Sequence, residues 1–98
     1  MNNTRKLRIT RKKQHYAGGI PYQVFIDGMD CGKIDNNHDS VSNMDFNEHT
    51  IQFRAMFADG EVRSELIRIP ANYSNYQVYA YSKMGLLSGY ILVEVYKF

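Results

Sequence analysis

The stretch Ile51-Gln52-Phe53-Arg54-Ala55-Met56-Phe57, running into Ala58-Asp59-Gly60, decides the fold. Apolar Ile51, Phe53, Ala55 and Phe57 alternate with Gln52, Arg54 and Met56, which is the period of an extended chain with one side against a core. Phe46, Phe53 and Phe57 also fit a helix over Asp45 to Ala58. The four-position alternation and the Asp-Gly turn signal favour the strand. A two-residue turn at Asp59-Gly60 sets Phe57 opposite Val62, Phe53 opposite Leu66 and Arg54 opposite Glu65, so apolar and opposite-charge partners fall out of one register. Ile51 would then face Arg68, and a bulge is expected near Leu66 and Ile67.

The same pattern extends in both directions. Upstream, Leu7 and Ile9 alternate with Lys6, Arg8 and Thr10; Tyr22, Val24 and Ile26 follow after Gly18-Gly19 and Pro21. Asp27-Gly28 signals a type I′ hairpin, with Met29 to Ile34 as the return strand. Asp35 to Asp39 reads as a polar loop, and Val41, Met44 and Phe46 as a short, irregular strand. Downstream, Tyr76, Val78 and Ala80 form one alternating set, and Ile91, Val93 and Val95 another. Tyr90, Leu92 and Tyr96 lie on the opposite side of that last strand. Apolar groups on both sides suggest a central strand, or one whose outer side meets a partner. The expectation is one all-β domain over residues 1–98, with residues 1–4 as a tail. Seven or eight short strands would form an antiparallel, immunoglobulin-like β-sandwich, the alternative being a small β-barrel.

Composition narrows the function classes. The chain has 98 residues, 44% of them hydrophobic, with eight Tyr, five Phe and no Trp. No apolar run reaches the ~18 residues of a membrane span. Nor does an apolar stretch follow the basic start, so a cytoplasmic location is the expectation. Cys31 is the single cysteine and reads as a small buried apolar residue ahead of a reactive thiol.

The segment Tyr22-Gln23-Val24-Phe25-Ile26-Asp27-Gly28, with Gly32-Lys33-Ile34 and later His49-Thr50-Ile51, resembles small bacterial β-sandwich domains of the PEGA type. Their pattern runs Y-x-V-x-I-D-G, then G-x-I, then G-x-H-x-I. Leu7 to Arg11 resembles the first strand of the same group. The resemblance spans the first part of the chain, to Phe57, and departs at Asn47-Glu48, where the pattern has glycine before the histidine. It implies an immunoglobulin-like sandwich and brings no catalytic residues.

Candidate catalytic and metal sites fail on spacing. His15, His38 and His49 lie too far apart to share one strand or helix side. Asp35-x-Asn37-x-Asp39 opens like a calcium loop, but Ser40 and Phe46 stand where glycine and glutamate are needed. At the strand start, His49 is expected to make a structural hydrogen bond. Ser88, between Gly85 and Gly89, lacks nucleophile-elbow spacing and reads as a turn. No phosphate-cradling or cofactor motif is present.

Two signals remain. Arg5, Lys6, Arg8, Arg11, Lys12 and Lys13 are half of the twelve bases, and no acid precedes Asp27. Alternation projects Lys6, Arg8 and Lys12 to one side, with Lys13 adjoining, as a candidate polyanion site. A charged edge strand guarding against sheet-to-sheet aggregation is the explanation the sequence favours for them. The second signal is tyrosine: Tyr79 and Tyr81, with Tyr90, Leu92 and Tyr96, form a candidate partner-binding surface, the competing explanation being core filling. The expectation is a non-catalytic interaction or structural module for another protein or a second copy of itself, the alternative being nucleic-acid or polyanion binding through the basic strand.

Overall fold

A computed structural model describes residues 3–85 and 89–98. The expected turn around Ser88 lies outside the described residues. Among the described residues there are nine strands and no helix: β1 (Arg5–Arg11), β2 (Tyr22–Ile26), β3 (Met29–Ile34), β4 (Asp39–Met44), β5 (His49–Phe57), β6 (Gly60–Arg63), β7 (Ile67–Ile69), β8 (Tyr76–Met84) and β9 (Gly89–Lys97). They form two sheets, not a closed barrel. One runs β4-β1-β8-β9; the other runs β3-β2-β5-β6, with β7 also on β5. Alternation sorts the side chains as expected. Leu7, Ile9, Val78 and Ala80 from the first sheet meet Tyr22, Val24, Ile51, Phe53 and Ala55 from the second. Phe53 is fully buried and meets the Tyr22 ring edge-to-face at 6.2 Å.

The hairpins form, one as expected and one shifted. Asp27 (φ 52°) and Gly28 (φ 80°) are both left-handed, joining Ile26 to its partner Met29 as a type I′ turn requires. In the second hairpin Phe57 pairs with Gly60, so the turn is Ala58-Asp59 and not Asp59-Gly60. Ala55 therefore faces Val62, and Arg54 faces Arg63 in place of Glu65. A two-position shift in pairing keeps every side chain on its expected side of the sheet. The like-charge pair is relieved laterally: Arg54 donates to Gln52 and lies 3.9 Å over the Phe25 ring, while Arg63 donates to Glu61.

The expected bulge falls over Ser64 to Leu66. There Ser64 N donates to the Phe53 carbonyl, its hydroxyl accepts from Phe53 N, and pairing resumes one position out of step at Ile67. This break divides the return strand into β6 and β7, which is why nine strands appear where seven or eight were expected.

Three further expectations change. The sandwich is not wholly antiparallel: β1 pairs antiparallel with β4 but parallel with β8. A parallel neighbour needs a long crossover, and the chain between Arg11 and Tyr76 supplies it. The Gln14 side-chain amide continues this ladder, donating to the Ser82 carbonyl and accepting from Ser82 N, each at 2.6 Å. Cys31 is exposed, because β3 is an edge strand and bulges there beside Gly32 (φ 101°). Finally, β9 is an edge strand and not a central one. Its inner side packs Ile91, Val93 and Val95 against the core, which leaves Tyr90, Leu92 and Tyr96 outside.

The start of β9 is pinned by a close approach. A Cβ on Gly89 would lie 2.3 Å from both the Phe57 ring and the Tyr16 hydroxyl. Phe57 is buried and has little room to yield, so Gly89→Ala is expected to cost about 1–3 kcal/mol, as overpacked cores do. Urea unfolding measures this. An unchanged midpoint would mean that β9 does not lie over Phe57.

Candidate binding face

Along β1, Arg5, Leu7, Ile9 and Arg11 point inward, and Lys6, Arg8 and Thr10 point outward with Lys12 beyond. The inward arginines serve the fold. Arg5 donates to the Asp45 and Asn47 carbonyls at 2.9 and 2.8 Å and to Asn72 at 2.9 Å. Arg11 donates to the carbonyls of Ala17, Ile20 and Ile34 and lies 3.7 Å over the Tyr22 ring.

The outward residues share one surface with the tyrosines, because β1 lies directly beside β8. Across the sheet Arg8 pairs with Gln77, which pairs with Tyr96; Thr10 pairs with Tyr79, which pairs with Glu94. Tyr81 pairs with Leu92, and Lys83 with Tyr90. Tyr96 is half exposed and Tyr90 slightly less, while Tyr79, Tyr81 and Leu92 are half-buried. Tyr79 and Tyr96 pack edge-to-face at 5.9 Å. The Lys12 ammonium lies 5.3 Å from the Tyr79 ring centre and 4.8 Å from that of Tyr81. Both sets of candidate residues thus form a single surface, except Lys13, which is exposed beyond the end of β1.

Two acids stand among these groups. Asp39 accepts from Arg8 and from Thr10, at 2.8 and 2.6 Å. Both bonds, with the Arg8 charge, hold its carboxyl below the usual range. Glu94 accepts from the Tyr96 hydroxyl at 2.6 Å and lies 3.5 Å from Lys12. The Tyr96 bond, then Tyr81 and Lys12, hold Glu94 below the usual range, and Glu94 in turn raises both phenols. Arg8, Lys12, Gln77, Tyr79, Glu94 and Tyr96 line a shallow, open depression of about 680 Å³. Its form suits an extended ligand better than one enclosed on all sides.

Lys83 and Glu94 were missed as site residues. Alternation alone puts Lys83 with Tyr79 and Tyr81, and Glu94 with Tyr90 and Tyr96. Selecting by tyrosine content passed over both.

His49 makes the structural contacts expected of it. Its Nδ1 lies 2.6 Å from Asp27 and its Nε2 2.6 Å from Asp45, while Thr50 N donates to Asp27 at 2.9 Å. The clamp ties the Asp27-Gly28 turn to the start of β5. With both nitrogens engaged, the ring has none left for a metal or a substrate proton. Among the described residues no three His, Cys, Asp or Glu side chains are arranged to hold a metal ion. Likewise, no helix there is long and apolar enough to cross a membrane.

The clamp makes stability depend on pH. The Asp27 bond, opposed by partial burial and aided by Asp45, raises the His49 pKa above its ordinary value near 6.5. Burial pushes Asp27 up, but the His49 and Thr50 bonds outweigh it, and Asp27 ends below the usual range. Asp45 is lowered by Asn47 N and by His49. The histidine contribution is complete below pH ~6.5 and is lost as pH rises through the raised value. The carboxylate contribution is present above pH ~4 and is lost as pH falls. The melting-temperature gap between wild type and His49→Gln is therefore expected to be widest between pH ~4 and ~6.5 and to narrow on either side. Solvent screening keeps it modest. A gap independent of pH would show that the imidazole is neutral in the fold.

No protein-family model matches this chain, and neither does any curated protein or solved structure with which it was compared.

Proposed function

We propose that this chain is a non-catalytic interaction module whose contact surface is the outer side of the sheet β4-β1-β8-β9. The observation that carries the reading is the convergence of Arg8 and Lys12 with Tyr79, Tyr81, Tyr90 and Tyr96 on one open surface. Tyrosines outside the sandwich do not fill its core. They offer rigid, amphipathic contact area at low entropic cost. The PEGA-like pattern agrees with a scaffold role, since Asp27 and His49, two of its positions, bond each other to brace the fold. Two kinds of partner suit such a surface: a protein, including a second copy of this chain, or an anionic polymer.

Site-specific photo-cross-linking tests this reading. With benzoylphenylalanine at Tyr96, irradiation of the protein in cell extract is expected to give defined adducts. The same group at Met56, exposed on the opposite sheet, is expected to give none. Equal labelling at both positions, or none at Tyr96, would overturn the reading.

A further inference from the structure

We infer that the contact surface binds a single-stranded nucleic acid, with bases stacked on the tyrosines of β8 and β9 and phosphates along the cations of β1 and Lys83. This rests on the sheet-surface reading above and names its occupant.

The first ground is the position of the basic strand. Lys6, Arg8 and Lys12 would need no ligand if β1 were a sheet edge, where charge prevents strands of other molecules from adding on. But β1 is paired on both sides, with β4 and with β8. A strand without a free edge has nothing to protect, so that explanation of its cations fails. The second ground is charge complementarity. On this surface Lys6, Arg8, Lys12 and Lys83 stand against two acids, Asp39 and Glu94. The rest of the chain is balanced, with eight bases and eight acids. The excess positive charge is concentrated beside the tyrosines, which is the footprint of an anionic partner.

The spacing of the rings selects single strands over duplex. Residues two apart on a strand are roughly 6.5–7 Å apart, and Tyr79 and Tyr81 have this relation on β8. Stacked bases in a duplex rise about 3.4 Å, too closely for each to meet its own ring. Splayed bases of a single strand can do so, and aromatic platforms beside a basic track are how such strands are held without sequence preference. The Tyr96 hydroxyl is bonded to Glu94, and the Lys12 ammonium over Tyr79 and Tyr81 would swing to a phosphate as a base takes its place.

The test is fluorescence anisotropy with the whole chain and a labelled oligothymidylate of about 12 nucleotides, a length within the usual site range, in ~50 mM salt. A duplex of equal length and heparin serve as competitors. The expected result is binding that neither competitor displaces at equal concentration. Tyr96→Ala is expected to weaken binding about 5- to 100-fold, the usual loss of one stacking ring, while the loss of its edge contact with Tyr79 lowers the melting temperature by only a few degrees. Glu94→Gln is expected to tighten it by removing the acid nearest the rings. The slope of log K against log salt is expected between about −1.5 and −3, for two to four phosphate contacts. Absence of binding would overturn the inference. So would binding in which heparin competes equally and Tyr96→Ala has no effect, since charge alone would then explain it. If the oligonucleotide fails while cross-linking at Tyr96 still yields protein adducts, the occupant is wrong and the contact surface stands. If both fail, both fall.

Discussion

Arg11→Met is expected to destabilise the protein by about 2–3 kcal/mol, because it removes the donor that the inward-facing carbonyls of Ile20 and Ile34 share and one of the two that Ala17 has. Two effects oppose each other here. The guanidinium is fully buried, no carboxylate among the described residues bonds to it, and its Nε has no hydrogen-bond partner. Burial accordingly lowers its pKa, and replacing a buried charge by an apolar side chain of similar length relieves that cost. Against this, Ala17, Ile20 and Ile34 each lose a bond to the charged group; Ala17 keeps the one from Ile20 N, and an acceptor left unsatisfied costs about 1–3 kcal/mol. The losses at Ile20 and Ile34 outweigh the relief. Arg11→Lys keeps the charge but cannot reach all three carbonyls from one ammonium, so an intermediate loss is expected. Chemical denaturation of both variants checks the order. A methionine variant as stable as wild type would show that the buried cation is a net burden.

Phe53→Ala has the other large effect expected. The ring is fully buried at the centre of the sandwich, on β5 between β2 and the β6/β7 edge, and leans on Tyr22. Truncating such a ring costs about 3–5 kcal/mol, which in a domain this small lowers the melting temperature by on the order of 15–30 °C. That is a large part of the whole stability of a typical domain. Met56→Ala, three residues on but with its side chain on the outside, is expected to change the melting temperature by less than about 2 °C. The contrast reads out the alternation of β5 directly. Comparable losses at both positions would contradict a strand with one buried side.

That alternation is also why the sandwich was legible in the sequence. The side to which Phe53, Val24 or Ile91 points is decided within a few residues, and Asp27-Gly28 specifies its turn through φ alone. Turn position at Ala58-Asp59 was less legible, since a glycine just after the turn leaves much the same local pattern as one within it. Strand order was not legible at all. Whether Arg8 lies beside Gln77 depends on contacts between segments more than 60 residues apart, and nothing in either segment names the other. The same distinction governs the candidate site. Lys6, Arg8 and Lys12 were legible as one set and Tyr79, Tyr81, Tyr90 and Tyr96 as another, but their union required the parallel pairing of β1 with β8. Cys31 and β9 show the complementary difficulty: short apolar patterns do not reveal which strands end at an edge.

The position of β1 inside the sheet underlies the whole functional reading, and amide hydrogen exchange resolved by NMR tests it most directly. Consecutive amides of a strand point to opposite neighbours, so a strand paired on both sides is protected throughout. The predicted result is slow exchange at every amide from Leu7 to Arg11. Rapid exchange at alternate amides would mean a free edge beside the basic residues, restoring edge protection as their explanation and separating them from the tyrosines.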